Sequence, residues 1–122
     1  GDVIRIEQVL VNLINNAINH VDEKRTIKLS VKTIENLIRI SIYNTGEWIP
    51  EESLDKIWDS FYKVDKARTR AYGGTGLGLS IVQSILKLHG SDFGVANVED
   101  GVAFWFEMKQ NVSKNETKAM AN

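Results

Sequence analysis

Cysteine is absent from the 122 residues, so no disulfide, thiolate nucleophile or cysteine-held metal is available. Proline occurs once, at Pro50, which leaves long stretches free to form uninterrupted helix or strand. The only two histidines, His20 and His89, lie too far apart in sequence to suggest a histidine-rich metal cluster. Excess charge of either sign is also missing: the formal net charge is −1, and no global positive field points to nucleic acid. No apolar run approaches the roughly 20 residues of a membrane-spanning helix, and no secretory leader opens the chain. What is present is 43% apolar and 25% charged residues, the balance of one globular domain rather than of a disordered tail.

Residues 2–20 are predicted to form a helix, because Val3, Ile6, Val9, Leu10, Leu13, Ile14, Ala17 and Ile18 share one broad arc at about 100° per residue. Residues 26–33 alternate, with Ile27, Leu29 and Val31 set against Lys28, Ser30 and Lys32, the pattern of a half-buried strand. Glu35-Asn36 makes a short turn, and Ile38, Ile40 and Ile42 continue the alternation in a second strand, so the pair reads as a hairpin. Pro50 is expected to open a short helix over residues 51–57. Residues 62–76 carry no period and read as a long loop. A second long helix is expected from Leu77 to Leu88, ended by Gly90. Strands near 93–98 and 102–108 flank the turn Glu99-Asp100-Gly101, and residues 111–122 read as a polar tail. The predicted fold class is α+β: a mixed, mostly antiparallel sheet covered on one face by helices, a two-layer α/β sandwich.

Three features carry chemistry. On the first helix, Arg5, Gln8, Asn12, Asn15, Asn16 and Asn19 fall on one polar arc. A solvated face is also polar, but it favours better helix formers than Asn, so four asparagines on one stripe suggest a bound polar ligand. An amide oxygen is a hard neutral ligand suited to Mg²⁺, which keeps phosphate and water for its other positions.

The second feature is Gly73-Gly74-Thr75-Gly76-Leu77-Gly78-Leu79, running straight into a helix. Glycines let backbone N–H groups approach closely, and a helix N-terminus carries partial positive charge, so this is a phosphate-shaped turn. It is neither a Walker A loop nor a dinucleotide fingerprint. Upstream, Lys63-Val64-Asp65-Lys66-Ala67-Arg68-Thr69-Arg70 holds four cations and one anion, and reads as a lid over a triphosphate. Third, Asn44-Thr45-Gly46-Glu47-Trp48-Ile49-Pro50 sits at a strand end, where Asn44 can read a base edge and Ile49 can supply an apolar wall.

The order and spacing of these pieces resemble the ATP-binding catalytic domain of bacterial sensor histidine kinases. Gln8 to Ala17 resembles the family's N box, and Asn44-Thr45-Gly46 through Ile49-Pro50 its first glycine box. Ile57-Trp58-Asp59-Ser60-Phe61-Tyr62-Lys63-Val64-Asp65 resembles the F box, and Gly74 to Leu79 the second glycine box. The resemblance spans residues 2–108 and implies the Bergerat ATP-binding fold, shared with gyrase, heat-shock chaperones and mismatch-repair ATPases. It implies ATP and Mg²⁺ as cofactors, with Asn16 as the metal ligand and Asn12 and Lys63 near the phosphates as the catalytic pair. Asn44 takes the place of the Asp that reads the adenine amine, with Gly46 beneath the base and Ile49 beside it. Arg68, Gly74, Thr75, Gly76, Leu77 and Gly78 belong to the lid and its anchor. His20 stands where an aromatic lies against the adenine, and Asn19 where a Lys or Arg contacts phosphate. Relatives that hydrolyse ATP carry a Glu at the Asn12 position; an amide cannot serve as that base, which favours transfer to a protein acceptor.

The expected protein is a catalytic domain over residues 1–110, N-terminally truncated, followed by the tail 111–122. It would pass the γ-phosphoryl of ATP to a histidine on a separate dimerisation domain of the same parent, with a response regulator as an indirect partner. The location implied is a cytoplasmic domain of a membrane-bound sensor kinase, with no nucleic acid partner. An anti-sigma-type serine kinase and a nucleotide-sensing pseudokinase are the alternatives on the same fold, and a nucleotide-free interaction module is the alternative from another class. Without the strands that usually precede the N box, the sheet is expected to expose an edge, and a longer chain is expected to be more stable.

Overall fold

Within residues 2–59 and 78–109, which the computed structural model describes, periodicity and structure agree closely. The elements are helix α1 (Asp2–His20), strands β1 (Ile27–Ile34) and β2 (Leu37–Thr45), helix α2 (Gly78–Leu88), and strands β3 (Phe93–Val98) and β4 (Gly101–Lys109). Both hairpin turns use a left-handed residue, Glu35 at φ 52° and Asp100 at φ 62°. At Gly101 a Cβ would overlap the Asn44 carbonyl of the neighbouring strand, so the second turn must hand over to glycine there. Gly90, at φ 65°, follows α2 as its left-handed terminator.

The four strands form one sheet in the order β1-β2-β4-β3, and every pairing is antiparallel among the described residues. Leu29 stands opposite Ile42, Ile42 opposite Phe104, and Phe104 opposite Val95. Residues directly opposite one another share a face, so Ile27, Leu29 and Val31 join Ile40, Ile42, Phe104, Phe106, Phe93 and Val95 on one side. The helices lie on that side, α1 packing against both α2 and β2. The core is built from Val9, Leu13 and Ala17 of α1, Val82, Ile85 and Leu86 of α2, and Ile42, Val102, Phe104 and Phe106 of the sheet. Trp58, from the segment after β2, meets Phe93 and Phe104 edge-on at 4.9 and 5.5 Å. On the other face Arg39 lies 4.2 Å over the Trp105 ring and bonds Glu107 at 2.6 Å.

Two expectations change. The helix over 51–57 reduces to a 3₁₀ turn, Glu51–Ser53, followed by further turns that bury Ile57 and Trp58. β1 is not half-buried but exposed along its whole length. Its apolar residues do point to the helix side, yet α1 and α2 cover the other strands and stop short of it. Lys63, Arg68, Gly74, Thr75, Gly76 and Leu77, with the rest of the lid, the F box beyond Asp59 and the tail 111–122, lie outside the described residues. Among the described residues no helix is long and apolar enough to cross a membrane.

Candidate functional site

The polar face of α1 is divided by its surroundings. Asn12, Asn16 and His20 follow one another at four-residue intervals, which stacks them along one line of the helix, and all three are half-buried. Gln8, Asn15 and Asn19 lie on the outer side and are exposed. The Nδ2 atoms of Asn12 and Asn16 are buried and have no hydrogen-bond partner among the described residues. Each such orphaned donor costs about 1–3 kcal/mol. A ligand rich in acceptor oxygens, such as a polyphosphate, removes that cost.

The oxygen of Asn16 is differently placed. Its Oδ1 lies 2.9 Å from His20 Nε2. An amide oxygen only accepts, so His20 donates and carries its proton on Nε2. Burial pushes the imidazole down to about 3, which keeps it neutral across the ordinary pH range.

The end of β2 closes on the end of α1. Asn44 is almost fully buried, and its Nδ2 donates to the Thr45 carbonyl at 3.1 Å. That bond fixes the direction of the amide, so its oxygen is the part suited to accept from a base amine. Gly46 sits at φ 155°, and a Cβ there would lie 2.9 Å from the His20 carbonyl and 3.3 Å from Asn44 Nδ2. A side chain would push the strand end off the helix. The corner is knit by Asp22 N–H to Thr45 carbonyl, Thr45 N–H to Thr26 carbonyl and Gly46 N–H to Asp100 carbonyl, each at 3.0 Å. The Thr45 hydroxyl beside Asp22 holds that exposed carboxylate below its usual range, helped by Lys24.

The next segment is held from the opposite side. Ile49 is buried; its N–H donates to Asn97 Oδ1 at 2.9 Å, and its carbonyl accepts from Asn97 Nδ2 at 2.8 Å. Trp48 precedes Ile49 on this segment. Its indole Nε1 donates to the Val98 carbonyl at 2.8 Å, which seats the side chain against β3. Gly78 opens α2, and a Cβ there would meet nothing within 4 Å.

Thus Asn12, Asn16 and His20 share one line, Asn44 and Gly46 close on its end, and Ile49 follows on a clamped segment. Asn19 is not brought into that line. Asn97 and Asp22 escaped the reading of the sequence. No sequence signal links Asn97 to Ile49, whereas the Asn16–His20 contact was available in the four-residue spacing.

A family model described as "Histidine kinase-, DNA gyrase B-, and HSP90-like ATPase" matches residues 1–112. The sensor histidine kinase WalK of Bacillus subtilis (strain 168) is 42% identical over 100 residues, which is 80% of this chain and 16% of that protein. The nucleotide-free catalytic domain of the histidine kinase ThkA superposes with a TM-score of 0.75 at 39% identity, over 88% of this chain and 67% of that one. ThkA in complex with the response regulator protein TrrA matches with a TM-score of 0.72 at 37% identity, over 88% of this chain and 29% of that one. The chain thus spans far less than the whole length of the curated relatives it matches.

Proposed function

The chain belongs to the histidine kinase-, DNA gyrase B- and HSP90-like ATPases, as a histidine-kinase-type ATP-binding domain, and on that premise we propose that its parent is a two-component sensor kinase. ATP binds with its adenine amine at Asn44 and its phosphates along Asn12 and Asn16. The γ-phosphoryl passes to a histidine on a separate dimerisation domain of the parent, and from there to a response regulator. Within the chain, the observation that carries this reading is the pair of buried, unpartnered amide nitrogens of Asn12 and Asn16, one helical turn apart.

Mg²⁺ fits the residues present. Asn16 Oδ1 is a hard oxygen ligand with a second lone pair beyond the one His20 occupies, and phosphate and water complete such a site. The ion, when bound, neutralises charge on the phosphates. The chain's own contribution is positioning: Asn12 and Asn16 donate to phosphate oxygens, while Asn44 fixes the base. Asn12 has no basic lone pair for activating water, which supports transfer over hydrolysis. Lys63 and Arg68 supply positive charge for the phosphates, and Gly74, Thr75, Gly76 and Leu77 lead in sequence to Gly78 at the start of α2. The domain covers residues 1–110, in the cytoplasmic part of a membrane-bound parent.

The test mixes the chain with the parent's histidine domain and γ-labelled ATP. The expected product is labelled in an acid-labile, base-stable linkage, and Asn16→Ala abolishes it. Label that survives acid would mark a serine or threonine ester, and no transfer despite ATP binding would mark a nucleotide sensor; either result overturns the reading.

A further inference from the structure

We propose that His20 is the positioning residue for Asn16: its Nε2–H holds the Asn16 carboxamide in the one orientation that offers oxygen to a cation and nitrogen to phosphate. The inference rests on the reading of Asn16 as the metal ligand, and it assigns His20 a task other than stacking on adenine.

The argument begins with the ambiguity of an amide. A carboxamide presents two ends of nearly equal size and opposite character, and rotation by half a turn exchanges them. In a site for Mg²⁺ and phosphate that exchange is ruinous, because a donor would face the cation and an acceptor the anion. Asn16 is protected from it by the 2.9 Å contact between its Oδ1 and His20 Nε2. The two residues are four apart on α1, so the helix itself sets their separation. The oxygen has two lone pairs; His20 takes one, and the other is available to a cation. Because the group is planar, fixing the oxygen also fixes Nδ2, the buried atom that has no partner among the described residues.

His20 is itself restrained. It is the last residue of α1, and that end of the helix is tied to the end of β2 by the Asp22 N–H bond to the Thr45 carbonyl, with Gly46 close against the His20 carbonyl. The arrangement parallels the outer partners that orient metal-ligating side chains elsewhere, whose loss typically lowers metal affinity about 10–100-fold.

Calorimetric ATP titrations with Mg²⁺ and with a chelator, on the whole chain and its variants, separate this task from others. Removing the donor with His20→Phe should reduce the Mg²⁺-dependent gain in ATP affinity by about tenfold or more, a larger loss than any in metal-free affinity. His20→Gln, which keeps an N–H at similar reach, should retain most of the gain. In an Asn16→Ala background His20→Phe should change nothing further. Independently of metal, nitrogen NMR should find the His20 proton on Nε2. Equal loss of affinity with and without metal, failure of Gln to rescue, or a proton on Nδ1 would overturn the proposal. A wild-type chain whose ATP affinity ignores Mg²⁺ would instead remove the ligand role of Asn16, and this proposal with it.

Discussion

Among the described residues, strands β1 and β3 are the two edges of one sheet, and both turn apolar side chains to the helix side, but their surroundings differ. Leu29 and Val31 of β1 are 56% and 62% exposed. Phe93 and Val95 of β3 pack against the core, where Trp58 meets Phe93. The β3 edge is further tied down by Asn97 on Ile49 and by the Trp48 indole on Val98. Among the described residues β1 is paired by its backbone to β2, and its other face carries Lys28 and Lys32. Alternation therefore specifies which way a side chain points. What covers it is decided by other elements.

Three measurements sharpen or break this contrast. The largest effect belongs to the centre of the sheet: Phe106→Ala, fully buried opposite Ile40 and Phe93, should cost about 3–5 kcal/mol in urea denaturation. Leu29→Ala, opposite Ile42, should stay within about 1 kcal/mol. Similar losses at both positions would mean that β1 is covered after all.

An intermediate effect is expected at the tethered edge. Asn97→Ala leaves the Ile49 N–H and carbonyl without partners and should cost about 1–3 kcal/mol, with faster hydrogen exchange at the Ile49 amide. Ser30→Ala, on exposed β1, should stay within about 0.5 kcal/mol. A silent Asn97→Ala would show that the clamp does not stabilise the edge.

The smallest effect is a dependence on pH. The folded Asp22 carboxylate titrates below its ordinary value of 3.8, so its stabilising share is present above that pH and is lost as pH falls through the lower folded value. The gap in urea midpoint between the wild type and Asp22→Asn should therefore be small at pH 7 and close on acidification. His20 titrates in the folded state near 3 against an ordinary 6.5, so both proteins lose stability as pH falls below about 6.5, and only their difference reports Asp22. A gap that widens on acidification would reverse the sign assigned to Asp22.

The helices and strands were legible because each carries a strong period: the arc through Val9, Leu13 and Ala17, and the alternation through Ile38, Ile40 and Ile42. Their ends were legible where chemistry marks them, as at Gly90 and Asp100-Gly101. An exposed sheet edge was expected, but not that it is β1, whose alternation is indistinguishable from that of a covered strand. Asn12, Asn16 and Asn44 stood out as amides in unusual places, and the resemblance read from the sequence assigned them their expected roles. The division of the α1 amides into a half-buried line of Asn12 and Asn16 and an exposed face of Gln8, Asn15 and Asn19 depended on how α1 sits against its neighbours. Asn97 had no signal, because it grips a segment 48 residues away through backbone atoms that every residue type shares.

That last property has a consequence for how the segment tolerates change. A side chain that grasps main-chain atoms is indifferent to the identity of the residue it grasps. Residue 49 can be exchanged for any type that fills its hydrophobic slot without loosening the grip, proline excepted, since it lacks the N–H. Position 97 has no such freedom: it must offer a donor and an acceptor together at a fixed reach. Drift in the clamped segment is thereby separated from its placement. A library randomised over both positions should return apolar variety at 49 and almost only Asn at 97.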